Sequence, residues 1–122
     1  MRIVDRKTFL ALPAGTIYAK WGDKDGDPTH MFYGEVSMKG DTCGNDFVDQ
    51  PFFTWPEGCE NDGQWTDAMD LALAGATTAP MIIGDSGCRD GLFDERQRFA
   101  VYDRIEVERL VALLQSGLQD AY

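Results

Sequence analysis

The chain contains a single histidine, His30, and three cysteines among its 122 residues. Because His30 lies in a hydrophilic stretch that matches no catalytic motif, sets that pair a nucleophile with an imidazole base are not expected. Three cysteines cannot all pair, and they fit free thiols in a reducing compartment. No run approaches the roughly 20 apolar residues of a membrane helix, and the N-terminus lacks the apolar core of a signal peptide. We therefore expect a cytoplasmic protein that has no membrane segment.

Basic residues are also scarce, and the resulting charge is concentrated in one segment. The formal net charge is −10. Residues 1–22 carry +3 and residues 71–122 carry −3, whereas residues 23–70 hold 12 acids against only Lys24 and Lys39 and carry −10. A concentrated acidic field repels nucleic acid and membranes and attracts basic surfaces. The expected partner is therefore a basic protein surface, such as that of a nucleic-acid-binding complex, without direct contact to nucleic acid.

The order of the predicted elements indicates an α+β fold. Asp5 is placed to cap a short helix that Pro13 ends. Short apolar and aromatic stretches bounded by turn residues predict strands at residues 16–21, 31–38, 46–54, 79–83 and 98–102. A turn is expected over residues 39–45, a loop over residues 56–65, and a second helix from about residue 66 to 74.

The C-terminal helix has the clearest pattern in the chain. Asp103 and Glu106 have the spacing of a capping box. The apolar residues that recur on one helical face are Val107, Leu110, Val111, Leu114 and Leu118. We expect this stripe to pack on a mainly antiparallel sheet of about five short strands, within one α+β domain that spans residues 1–122.

Several short motifs suggest chemistry, but each lacks a required part. Residues 84–87 (Gly-Asp-Ser-Gly) match the nucleophile motif of trypsin-like proteases, whose mechanism needs a histidine base and a longer chain. Residues 23–27 (Asp-Lys-Asp-Gly-Asp) resemble the start of a calcium loop whose glycine and twelfth position do not fit. The cysteines are too widely spaced for a typical zinc site. We predict no catalytic residue, metal or cofactor; the alternative is a small metal- or thiol-dependent enzyme centred on residues 85–94, with Cys88.

Aromatic residues inside the acidic segment indicate a binding surface. Phe52 and Phe53 point to opposite faces of a strand, so one of them is exposed unless both faces are covered. An exposed aromatic side chain rimmed by acids is a typical interface anchor, whereas burial in the core is the alternative for this patch. The predicted partner-binding residues are Asp23, Asp25, Asp27, Asp41, Asp46, Asp49, Phe53, Trp55, Glu57, Glu60 and Asp62.

The loop over residues 87–95 is a second candidate. Leu92 and Phe93 are apolar within an otherwise polar stretch. They either fill the core and anchor the loop or form the apolar tip of a recognition loop. The residues assigned to this recognition loop are Arg89, Asp90, Leu92 and Phe93.

Two blocks resemble small proteins that bacteriophage and prophage genomes encode. They are residues 5–18 (Asp-Arg-Lys-Thr-Phe-Leu-Ala-Leu-Pro-Ala-Gly-Thr-Ile-Tyr) and residues 89–95 (Arg-Asp-Gly-Leu-Phe-Asp-Glu) followed by 99–102 (Phe-Ala-Val-Tyr), about a fifth of the chain. The group has no assigned activity, so no functional residue carries over. The resemblance implies an inhibitor of host defence, such as an anti-CRISPR protein that acts by nucleic-acid mimicry or steric block. A phage structural or assembly component is the alternative.

Overall fold

The computed structural model describes residues 1–22, 34–84 and 88–122, which hold seven strands and three helices. The strands are β1 (Arg2–Val4), β2 (Ile17–Trp21), β3 (Ser37–Cys43), β4 (Asp46–Pro51), β5 (Phe53–Pro56), β6 (Met81–Ile83) and β7 (Arg98–Val101). The helices are α1 (Arg6–Leu10), α2 (Asp62–Leu73) and α3 (Arg104–Ala121).

Five of the strands form one antiparallel sheet in the order β1-β7-β2-β3-β4. The register places Val4 of β1 opposite Phe99 of β7, and Tyr18 of β2 opposite Val101 of β7. Strands β5 and β6 pair separately in a two-stranded antiparallel sheet. The predicted α+β class with a mainly antiparallel sheet is confirmed.

Aromatic rings from α1 and the five-stranded sheet form the core. Phe9 stacks on Phe99 with ring centroids 4.0 Å apart, and Phe47 meets Phe9 edge-on at 4.9 Å. Each such pair contributes about 0.5–1.5 kcal/mol beyond the area that it buries. Asp5 caps α1 as predicted, because its carboxylate accepts a hydrogen bond from the Thr8 N–H at 2.8 Å. The cap fixes the start of the five-residue helix that carries Phe9 into the core.

The middle of the chain differs from the prediction at β3. A turn was expected over residues 39–45, but β3 continues through Cys43 and only residues 44–45 form the turn. Gly40 explains the error, because a Cβ there would lie 2.8 Å from the Val48 Cβ on β4. This glycine permits close approach of two strands and does not mark a turn. Of the strand predicted at 31–38, residues 31–33 lie outside the described part of the chain.

Proline and asparagine set two other boundaries that differ from the prediction. The strand predicted over 46–54 is two strands, because β4 ends at Pro51 on the edge of the sheet and β5 begins at Phe53. Helix α2 begins at Asp62, earlier than expected, because Asn61 caps it by accepting a hydrogen bond from the Gln64 N–H at 2.9 Å. The short strand β1 was not predicted.

Helix α3 begins as predicted but does not pack along its whole length. Glu106 accepts a hydrogen bond from the Asp103 N–H at 2.6 Å, which confirms this half of the capping box. Val107 and Leu110 are half-buried beside the sheet. The rest of the stripe is 48% (Val111), 63% (Leu114) and 67% (Leu118) exposed. The expectation that the sheet covers the whole stripe is wrong, because an 18-residue helix is about 27 Å long and its outer half extends away from the sheet.

None of the helices in the described ranges is long and apolar enough to cross a bilayer.

Candidate partner-binding surface

A small unit formed by β5, α2 and β6 carries most of the exposed acids that the structure describes in the central segment. We call residues 53–83 the acidic lobe. Its strands are held by the pairing of Phe53 with Ile83, and by hydrogen bonds from the Glu57 N–H to the Pro80 carbonyl (2.9 Å) and from the Thr54 hydroxyl to the Ile82 carbonyl (3.1 Å). These bonds join the two ends of the lobe and present α2 between them.

Helix α2 has one face that is partly covered and one that faces solvent. Ala72 lies four residues after Ala68 and three after Met69, and these three residues are half-buried on the helix that contacts β5. Leu71 and Leu73 flank that face on its two sides and are 62% and 88% exposed. Because residues two apart on a helix do not point the same way, each adds exposed apolar surface at a different edge of α2.

Every charged side chain of the acidic lobe is negative. Residues 53–83 contain no lysine, arginine or histidine. Their five acids are all exposed, and in the part of the chain that the structure describes no cation lies within ion-pair distance of any of them. The five are Glu57, Glu60, Asp62, Asp67 and Asp70. The lobe therefore presents a negative field that no cation of the described ranges neutralises by direct pairing.

Apolar anchors lie among these acids. Phe53 is 69% exposed and Ile83, its partner across the two strands, is 63% exposed. Phe52 is half-buried, so the expected split between two adjacent aromatic residues is observed. Trp55 is half-buried, and Trp65 at the start of α2 is 40% exposed. The lobe thus combines acids with exposed apolar side chains, which is the composition predicted for the interface.

Asp46 does not belong to this surface, and its predicted place in an exposed set is wrong. Its side chain is 1% exposed and lies 3.0 Å from the Arg89 Nε and 3.7 Å from the Arg6 guanidinium. Burial by itself raises the pKa of Asp46, but hydrogen bonds from the Phe47 and Gly91 N–H groups and the charge of Arg89 outweigh it and lower the pKa. Asp46 is a structural anion that ties the residue 89–91 loop to β4.

Asp90 has a similar structural role on the other side of Arg6. Its side chain is 4% exposed, and its carboxylate contacts the Lys20 ammonium at 2.6 Å and the Arg6 guanidinium at 3.5 Å. Arg6 also donates to the Asn45 carbonyl at 2.8 Å. The buried carboxylates of Asp46 and Asp90 and three cations, buried Arg6, half-buried Lys20 and exposed Arg89, thus form one ionic network. Asp90 is engaged by its neighbours and is not a free recognition residue.

The other predicted acids are scattered. Asp49 on β4 accepts a hydrogen bond from the Tyr18 hydroxyl, and burial together with this bond raises the pKa of Tyr18. Asp41 is exposed on β3. Asp23, Asp25 and Asp27 lie outside the described residues. The described acids of the central segment therefore do not form one patch, and the exposed cluster among them is the lobe.

The recognition loop presents its apolar tip to solvent. Leu92 is 66% exposed and Phe93 is 49% exposed, so the alternative in which both fill the core is wrong. Phe93 has a φ of +51°, an uncommon value for an aromatic residue, and lines a cleft of about 530 Å³ beside Lys7 and Asn45. Arg89, which was assigned to the same loop, is exposed and holds Asp46.

Two buried cations, Arg6 and Lys39, were not predicted from the sequence. Lys39 is 1% exposed and donates to the Gly40 carbonyl (3.1 Å) and the Thr42 hydroxyl (2.7 Å). Burial lowers the pKa of Lys39. A charged residue in a strand gives no sign of burial in a single sequence. The absence of any basic residue over 53–83, in contrast, is visible in the sequence and locates the lobe.

The cysteines and acids of the described residues form no group of three that could hold a metal ion, and Cys43, Cys59 and Cys88 are free thiols. Comparison with protein-family models, curated proteins and solved structures yields no match to this chain. Function therefore has to be inferred from the geometry of the surface.

Proposed function

We propose that this protein is a non-enzymatic binding protein that docks its acidic lobe on a basic surface of another protein. One observation carries the proposal: residues 53–83 combine five exposed acids, no basic residue and exposed apolar side chains at Phe53, Leu71, Leu73 and Ile83. Acids alone favour solubility, whereas apolar side chains among them supply the contact area that a stable complex needs.

Each kind of residue contributes differently to the complex. The five acids steer encounter with a basic partner and raise the association rate, an effect that salt screens within about 10 Å at 0.1 M ionic strength. Phe53 and Ile83 lie on paired strands and form one apolar patch that a partner can cover. Truncation of such an anchor typically reduces affinity tenfold or more.

We propose further that the partner belongs to a nucleic-acid-binding complex. Carboxylates distributed over a rigid surface can occupy phosphate-binding positions in a basic groove, which agrees with the inhibitor of host defence that the sequence resemblance implies. In the alternative, a metal- or thiol-dependent enzyme centred on residues 85–94, the Asp90 carboxylate is already engaged by Arg6 and Lys20.

A pull-down from a lysate of the host that carries the gene tests this proposal. The wild type is compared with a lobe variant (Glu57→Gln, Glu60→Gln, Asp67→Asn) and a control with the same loss of charge at exposed acids elsewhere (Glu95→Gln, Glu108→Gln, Asp120→Asn). Proteins captured by the wild type and the control but lost by the lobe variant are expected to be basic. Their capture should weaken steeply as salt rises from about 50 to 300 mM.

Competition and a second variant complete the test. If the lobe occupies the nucleic-acid site of the captured complex, a nucleic-acid ligand of that complex should displace the protein. If the lobe binds elsewhere on the partner, added nucleic acid should leave the protein bound. Phe53→Ser should reduce capture with only a small fall in melting temperature, since its side chain is 69% exposed and loss of its cross-strand contact with Ile83 costs at most about 1 kcal/mol. Equal loss of capture by the lobe variant and the control, or capture that salt does not affect, would contradict docking through the lobe.

A further inference from the structure

The outer half of α3 has an apolar face that the described residues of its own chain leave largely uncovered. The face consists of positions three or four residues apart: Val107, Leu110, Val111, Leu114, Leu118 and Ala121. Exposure rises along it, from half-buried Val107 to Leu118 at 67%. Arg109, Ser116 and Asp120 lie on the opposite side, with Ile105 as an apolar exception, so the outer half of the helix is amphipathic although most of it lacks a partner within the described chain.

The residues of this face are arranged symmetrically about Leu114. Val107 and Ala121 lie seven residues from it, Leu110 and Leu118 lie four, and Val111 and Gly117 lie three. An antiparallel pair of α3 helices crossing at Leu114 would place each member of such a pair opposite the other. Valine would then meet alanine or glycine, and leucine would meet leucine, which lets two helices approach closely.

The inner end of α3 offers a groove for the end of such a partner helix. A mostly apolar groove of about 310 Å³ lies here, lined by Ile17, Val36, Tyr102, Val107 and Leu110 and by one charged residue, Glu106. Val36 is 39% exposed in this groove. At the other end of α3, Tyr122 is 98% exposed. In an antiparallel pair the last turn of one helix lies over the first turns of the other. The groove of each copy would thus receive Leu118 and Tyr122 of its mate.

A second copy of the same helix would cover the apolar side chains that α3 leaves in water. Val111, Leu114 and Leu118 are 48%, 63% and 67% exposed, and an antiparallel pair would remove all three of each copy from solvent. We propose that α3 is the contact surface of an antiparallel homodimer, with Leu114 on its twofold axis and each C-terminal turn in the groove of the other copy. This dimer does not depend on the function proposed for the lobe.

Sedimentation velocity over a range of concentrations tests the dimer. The wild type should sediment as a dimer, and Leu114→Gln should raise the dissociation constant about 100-fold, because both copies lose a leucine from the centre of the contact. Ile105→Gln is the matched control: Ile105 is 54% exposed on the same helix, but it lies opposite the apolar face. A monomeric wild type, or a dimer that Leu114→Gln leaves intact, would overturn the proposal.

Engineered cysteines distinguish the antiparallel arrangement from a parallel one. In a background where Cys43, Cys59 and Cys88 are serine, Leu114→Cys should form an intermolecular disulfide on mild oxidation. Leu118→Cys should not, because the two copies of position 118 lie at opposite ends of an antiparallel pair. Efficient cross-linking at 118 would show a parallel pair and would refute the geometry proposed here.

Salt and dilution provide two further readouts. Each copy carries a net charge of −10, so self-association should strengthen with added salt, whereas binding of the lobe to a basic partner weakens. Failure of one proposal is therefore distinguishable from failure of the other.

The outer half of α3 is too short to be stable alone, so helical circular dichroism should fall on dilution through the dissociation constant in the wild type. Helicity that does not change as the dimer dissociates would contradict the mutual support of the two helices.

Discussion

Replacement of Asp46 by asparagine should destabilise the fold more than any change on the acidic lobe. The Asp46 carboxylate accepts hydrogen bonds from the Phe47 N–H (2.9 Å), the Gly91 N–H (3.1 Å) and the Arg89 Nε (3.0 Å). Asparagine keeps one acceptor oxygen but turns an amide donor toward the remaining groups. It also removes the negative charge that faces Arg6, whose side chain is 6% exposed.

The magnitude follows from which partners remain. Removal of one member of a buried ion pair typically costs 3–5 kcal/mol, because the other charge is left uncompensated. Arg6 keeps Asp90 at 3.5 Å and the Asn45 carbonyl at 2.8 Å, and Arg89 is 55% exposed to water. We therefore expect a loss of about 2–3 kcal/mol, a large part of the 5–15 kcal/mol that stabilises a typical domain.

Urea denaturation followed by circular dichroism at pH 7 measures this loss. Asp41→Asn is the matched control, because Asp41 lies on the neighbouring strand and is exposed. Its free energy of unfolding should change by less than about 0.5 kcal/mol. If Asp46→Asn were as mild as Asp41→Asn with an unchanged m-value, the buried network would not hold the loop to the sheet, and the reasoning would be refuted.

Three other predictions concern pH and packing. The pKa of Asp46 is lowered in the folded state, so the stabilisation of the fold by the Asp46 carboxylate is complete above the ordinary value of 3.8 and is lost as pH falls through the folded pKa. The difference in urea midpoint between wild type and Asp46→Asn should therefore shrink below pH 4. Gly40→Ala should cost about 1–3 kcal/mol in chemical denaturation, because its Cβ would lie 2.8 Å from that of Val48, and Val48→Ala in the same chain should recover part of the loss. Lys39→Met should change stability by less than about 1.5 kcal/mol, since an apolar chain of similar length replaces a buried ammonium, whereas Lys39→Ala should cost about 2 kcal/mol more in the same assay.

Local sequence signals predicted the elements whose ends are marked by residues with a clear capping or strand preference. Asp5 and Asp103 begin α1 and α3 as expected, and the strand predicted at 98–102 agrees with β7 within one residue. The sequence pattern failed where contacts between residues far apart in the chain determine the secondary structure. Gly40 looks like a turn residue until Val48 is placed against it, and the three residues of β1 form a strand because they pair with β7.

The candidate surface was predictable in composition but not in arrangement. The acidic segment follows from the residues themselves, and the sequence predicted that Phe52 or Phe53 is exposed unless both faces of the strand are covered. Which acids are exposed does not, because Asp46 and Glu57 have the same charge and differ only in whether an arginine and backbone N–H groups lie beside them. The apolar stripe of α3 was also predictable, whereas the absence of a sheet beneath its outer half in the described chain depends on the length and direction of the helix.

The ionic network has a consequence for the loop that it anchors. Arg89, Asp90 and Gly91 are fixed by contacts to α1, β2 and β4, and Leu92 and Phe93 follow immediately. The two exposed apolar side chains are thus attached to a segment that ionic contacts already fix in place. A partner that binds them would restrict little backbone motion, so most of the contact free energy would contribute to affinity.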